Sequence, residues 1–155
     1  MKQFLKDLGR SASIMVVVGA VTLSGATYLN AFERWQRLSI TGQARVTDGD
    51  TIKINGVRIR LNGVDAPELR DLMGPASKRE MKLIVGANVI TCRPNGDRTH
   101  GRIVAICTRV SDGVDIGGEL IRRGYGLDCE HFSGGRYHAL ESEQARRRIK
   151  PAAYC

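Results

Sequence analysis

Two residues, Asn55-Gly56, dictate the geometry of the middle of this chain. Both tolerate positive φ, as the central pair of a type I′ turn requires, so the flanking runs Thr51-Ile52-Lys53-Ile54 and Val57-Arg58-Ile59-Arg60-Leu61 read as a tight β-hairpin. Ile52, Ile54, Val57 and Ile59 alternate onto one face, and this fixes the register. Ile54 faces Val57, Ile52 faces Ile59 and Thr51 faces Arg60, because a slip of one residue would turn the apolar set to solvent.

The remaining elements arrange themselves around this hairpin. Ala44 to Thr47 reads as a strand before it. Gly74-Pro75 opens a helix that ends near Gly86, with proline at its start and glycine past its last turn. Val89–Cys92 and Ile103–Cys107 read as two strands around a Pro94-Asn95-Gly96 turn. A second helix follows the N-cap Asp115, turns Ile116, Leu120 and Ile121 inward, and places Arg122 and Arg123 at its negative end before Gly124. A third spans about Arg136 to Arg148. Five short strands and three helices in 155 residues predict one α+β domain built on a small closed barrel.

Ahead of the domain, Lys2, Lys6 and Arg10 precede an uncharged stretch from Ser11 to Phe32, the pattern of an export signal. Residues 1–32 are expected to be a signal peptide or membrane anchor, 33–43 a linker and 44–155 the domain. Ser24-Gly25-Ala26 offers small residues for cleavage after Ala26, while Trp35 among charged neighbours suits the interface beside an uncleaved anchor; both outcomes stand. The expected location is periplasmic or secreted, or at the inner membrane through residues 11–32. Four cysteines without a Cys-x-x-Cys pair argue against zinc. Cys92 and Cys107 end neighbouring strand-like runs, which suggests a bridge between them and leaves Cys129 with Cys155.

Lys and Arg number 24 against 16 Asp and Glu, a net +8. Setting aside Lys2, Lys6, Asp7 and Arg10, residues 33–155 keep 21 bases against 15 acids, or +6, so the excess belongs to the domain. It favours polyanions such as nucleic acid or anionic lipid, although a basic surface can also serve solubility alone. Sharper information lies in the carboxylates at the base of the hairpin: Asp48-Gly49-Asp50-Thr51 before it and Val64-Asp65-Ala66-Pro67-Glu68 after it. The register brings Asp50 and Asp65 to the same end of adjacent strands, where two hard oxygen ligands can share calcium or magnesium. Carboxylates so close repel unless a cation or arginine offsets them, and Arg60 and Arg102 are available. Strict alternation puts Asp50 and Arg60 on opposite faces, so a bulge or strand end must re-aim one of them.

Asp48-Gly49-Asp50-Thr51, then Arg60 running into Asp65-Ala66-Pro67-Glu68, then Gly101-Arg102, in this order, resemble the staphylococcal nuclease (thermonuclease) family over roughly Ala44 to Arg148. The resemblance implies an OB-fold barrel with three helices and calcium-dependent hydrolysis of DNA or RNA that leaves 3′-phosphates. It also implies calcium held by Asp50, Asp65 and the Thr51 main-chain carbonyl, with Arg60 and Arg102 clamping phosphate and Glu68 orienting or deprotonating water. A guanidinium fork suits this clamp because it can grip two phosphate oxygens at once. Asp48 stands behind the ligands, and the enzyme would act as a monomer. Where the family stacks the nucleotide on aromatics after the second helix, this chain keeps only Phe132 and His131 near the place. The alternatives are a nucleic-acid-binding module of the same fold without catalysis and a basic accessory protein at a membrane surface.

Overall fold

The computed structural model describes residues 39–155; the segment read as signal or anchor, and the linker up to residue 38, lie outside the described residues. The hairpin forms as its turn dictates. Strands β2 (Thr51–Ile54) and β3 (Val57–Leu61) pair antiparallel with Thr51 opposite Arg60, Ile52 opposite Ile59 and Ile54 opposite Val57. Asn55 and Gly56 have φ of 49° and 85°. Strand β1 (Ile40–Val46) begins before the expected Ala44, because residues 40–43 pair with a later strand.

That partner is β5 (Val89–Thr99), which turns at His100-Gly101 into β6 (Arg102–Arg109). The Pro94-Asn95-Gly96 signal therefore makes no hairpin turn. The β5–β6 ladder continues on both sides of it, and the extra residues are absorbed as an irregularity between Pro94 and Arg98. The reversal falls instead where His100 and Gly101 both take positive φ, 47° and 73°. β6 runs parallel to β3, β5 returns to β1, and the ring closes in the order β1-β2-β3-β6-β5. Among the described residues this is a closed mixed five-stranded barrel with helices, an OB-like α+β architecture.

Ile52, Ile54, Ile59, Leu61, Ile90, Cys92, Ala105 and Cys107 are buried in the core. Helix α1 (Gly74–Val85) adds Met81 and Ile84, and α2 (Ile116–Arg122) adds Ile116, Leu120 and Ile121. Asp115 caps α2 as expected, its Oδ1 accepting from the Gly117 and Gly118 N–H groups. Between β3 and α1 lies β4 (Val64–Asp65), paired with β7 (Leu127–Asp128). The expected third helix is broken. Chain 129–148 forms a short helix α3 (Glu130–Ser133), a 3-10 turn (His138–Leu140) and α4 (Glu143–Arg148), which Ser142 caps. Tyr137 is drawn inward to donate its hydroxyl to Asp115 Oδ2 at 2.8 Å, so a continuous helix from Arg136 is not available. Both disulfides form with the expected connectivity, Cys92–Cys107 across β5 and β6 and Cys129–Cys155. Such bridges are compatible with an oxidising environment. Among the described residues no helix is long and apolar enough to cross a membrane.

Candidate active site

The re-aiming that alternation demands occurs at the end of β2. Asp50 lies just outside the strand, in a turn whose Thr47 and Asp48 N–H groups both donate to the Thr51 carbonyl. Free of the pleat, its carboxylate meets Arg60 Nη1 at 2.7 Å, while Arg60 Nη2 donates to the Val64 carbonyl at 3.1 Å. A guanidinium has five N–H donors, so these two bonds fix Arg60 without exhausting it. Gly49 is required by space. A Cβ there would stand 2.1 Å from Ser77 Oγ on α1 and 2.6 Å from Ala66 Cβ, so this turn closes directly on the helix and on the loop after β4.

Asp65 ends β4 and is held from the other side by residues far along the chain. Its Oδ2 accepts the Ala152 N–H at 2.8 Å, and its Oδ1 has no hydrogen bond among the described residues. Asp50 and Asp65 are only 4% and 5% exposed. Burial pushes the Asp50 carboxyl up to about 7, with the Asp48 carboxylate adding to the rise and Arg60 opposing it. Burial also raises Asp65 against the Ala152 N–H and the charge of Arg60, while Glu68 and Glu141 raise it further. Arg60 thus acts on both acids, and the N–H of Ala66, the residue after Asp65, donates to Asp50 Oδ2 at 3.4 Å.

Arg102, at the start of β6, reaches the same group from the next strand. Its Nη1 donates to Thr51 Oγ1 at 3.1 Å and its Nε to the Thr99 carbonyl at 3.3 Å; Thr51 Oγ1 in turn donates to Asp50 Oδ1 at 3.0 Å. Arg102, Thr51, Asp50 and Arg60 therefore form one continuous polar chain. The Thr51 carbonyl, expected among the calcium ligands, accepts the Thr47 and Asp48 N–H groups, while the Thr51 hydroxyl meets Asp50. Glu68 is exposed on the loop between β4 and α1. Its backbone is fixed by Asp71 at both N–H and carbonyl, and Gly74 packs so closely that a Cβ would lie 1.9 Å from the Glu68 carbonyl oxygen.

A cleft of about 520 Å³ opens beside this chain, with Arg60, Arg102, Phe132 and Tyr154 in its walls. Asp50, Asp65, Glu68 and His131 do not line it; His131 stacks edge-on against Phe132 with ring centroids 4.8 Å apart. Sequence reasoning missed three contributors: the Thr51 hydroxyl, the Ala152 N–H and Tyr154. Only Tyr154 carried a signal, since a Cys129–Cys155 bridge necessarily brings its neighbour toward Phe132. Among the described residues no three His, Cys, Asp or Glu side chains converge as a ready-made metal cage.

No protein-family model matches the chain. It is 37% identical over 113 residues, 66% of its length, to the succinoglycan biosynthesis protein ExoI of Rhizobium meliloti (strain 1021), covering 59% of that protein. It is 32% identical over 93 residues, 57% of its length, to an uncharacterized endonuclease of Escherichia coli, and 31% identical to one of Escherichia coli O157:H7, covering 60% of each. The chain thus spans less than two thirds of these curated relatives, and its likeness is to proteins that include two named endonucleases.

Proposed function

We propose that this protein is an exported, monomeric, calcium-dependent nuclease of the staphylococcal nuclease type, hydrolysing phosphodiester bonds of DNA or RNA. The observation that carries the reading is the polar chain Arg102–Thr51–Asp50–Arg60, which sets two guanidinium groups on one cleft beside two buried acids. Proteins named endonucleases among its relatives point the same way. The donor set fits a hard cation: Asp50 and Asp65 would hold it, leaving positions for water and phosphate, since two carboxylates fall short of the six to eight oxygens calcium takes. Bound there, calcium would neutralise charge on the phosphate and lower the pKa of its water.

The residues of the chain do the rest. Water adding to a phosphodiester places extra negative charge on the equatorial oxygens, and Arg60 and Arg102 stabilise that charge more than the charge of the ground state. Thr51 sets the height of the Arg102 fork through its hydroxyl, and Asp48 steadies Asp50 by accepting its N–H at 3.2 Å. Glu68, on a loop fixed by Asp71 and Gly74, orients the attacking water and draws its proton. Phe132 and His131 meet the nucleic acid beside the scissile bond. Residues 1–32 direct export and either leave as a signal peptide or remain as an anchor.

Digestion of single- and double-stranded DNA and of RNA, with calcium or with EDTA, tests the reading. Cleavage should require calcium, and Glu68→Gln should lower kcat by about 10²- to 10⁴-fold with an unchanged melting temperature. Binding that survives EDTA without cleavage under either condition would replace this reading with that of a non-catalytic nucleic-acid-binding module.

A further inference from the structure

Segment 151–155 does not merely trail the domain. Ala152 donates its N–H to Asp65 across a sequence separation of 87, and Cys155 is bonded to Cys129, the residue preceding α3. These two attachments leave Tyr154 between them. Its ring sits 6.3 Å from that of Phe132 at an interplanar angle of 64°, and both rings line the cleft that holds Arg60 and Arg102. Tyr154 is 58% exposed and Phe132 51% exposed. A folded domain that leaves two neighbouring aromatic faces in water, in a cleft walled by two guanidinium groups, displays the elements that bind single-stranded nucleic acid: cations for the backbone and π-faces for the bases.

We infer that Tyr154, delivered by the Cys129–Cys155 bridge, forms with Phe132 a stacking wall for the nucleobase adjoining the phosphate held by Arg60 and Arg102. The inference rests on the nuclease reading for the identity of the ligand and adds a residue, and a covalent means of placing it, that the nucleotide side of the site depends on. The bridge matters because Tyr154 lies outside every helix and strand; without Cys155 the segment would be held near the cleft by no covalent link, only by the Ala152 N–H bond to Asp65 and the exposed ring contact with Phe132.

The test measures anisotropy of a labelled single-stranded oligonucleotide in EDTA and steady-state cleavage in calcium, for the full chain and for Tyr154→Ala, Tyr154→Phe and Cys155→Ser. Base stacking on an aromatic contributes about 1–3 kcal/mol, so Tyr154→Ala should raise Kd and KM about 5- to 100-fold with kcat little changed. Tyr154→Phe should restore both to within about twofold, and Cys155→Ser should reproduce the loss. Against an oligonucleotide with an abasic residue beside the scissile phosphate, unaltered protein and Tyr154→Ala should perform alike. Unchanged Kd and KM in Tyr154→Ala overturn the inference while leaving the nuclease reading intact. If the unaltered chain binds without cleaving, the nuclease reading fails, and Kd alone still decides the stacking wall. If it binds no oligonucleotide at all, both fall.

Discussion

Arg60 and Arg102 share a cleft but not an environment, and substitution should separate their roles. Arg60 is paired with a carboxylate that is nearly inaccessible, so Arg60→Ala leaves Asp50 buried without its partner. Breaking a buried pair from one side costs about 3–5 kcal/mol, here reduced because Asp50 can take up a proton instead. Among the described residues Arg102 makes hydrogen bonds to Thr51 and Thr99 and no ion pair, and Arg102→Ala should cost about 1 kcal/mol. Both variants should lose turnover by orders of magnitude, and urea unfolding should show Arg60→Ala to be the less stable of the two. The place of Arg60 opposite Thr51 was legible in the sequence because it lies on a strand whose register Asn55-Gly56 fixes. The Ala152 contact was not, since no local pattern announces a bond between residues 65 and 152.

At the level of elements, α1 and α2 are joined by charge as well as by their apolar faces. Arg123 Nη1 meets Glu80 of α1 at 2.6 Å and Arg123 Nε meets Glu119 at the same distance, while Arg122 also pairs with Glu119. Hydrogen bonds from Arg122, and secondarily from Arg123, hold the Glu119 carboxyl down to about 2. A carboxyl depressed in the folded state stabilises above its unfolded pKa near 4.5, and that stability is lost as pH falls toward 2. Glu119→Gln should therefore flatten the acid limb of a stability–pH curve in this window and leave a constant deficit above it, as chemical denaturation at stepped pH would record. Arg123 is thus the tie between the two helices, whereas Arg122 pairs within its own helix. Hairpin and helix starts were legible because Asn-Gly, Gly-Pro and an N-cap Asp act within a few residues. The misread elements are those where tertiary packing outweighs such signals: Tyr137 pulled onto Asp115 breaks a charge-rich run, and the β5–β6 ladder carries Pro94-Asn95-Gly96 through as an irregularity.

For the molecule as a whole, the two disulfides divide the labour. Cys92–Cys107 is buried within the barrel wall and spans 15 residues; Cys129–Cys155 spans 26 and fastens segment 151–155 to the start of α3. Loop-closure entropy assigns them about 3 and about 3.5 kcal/mol respectively. Calorimetry with and without a dithiol reductant should show a loss of that order for Cys155→Ser and a further loss when the barrel bridge is also opened. An unchanged melting temperature under reductant, with thiols that alkylate before reduction, would remove both bridges. The closed ring carries one more implication. Because β5 returns to β1, each of the five strands has a neighbouring strand on either side, and the pairing of residues 40–43 with residues 89–92 occupies the seam where a strand of another copy would otherwise dock. Self-templated strand addition at that seam must first unzip it, so fibre growth by this route waits on the opening of the barrel.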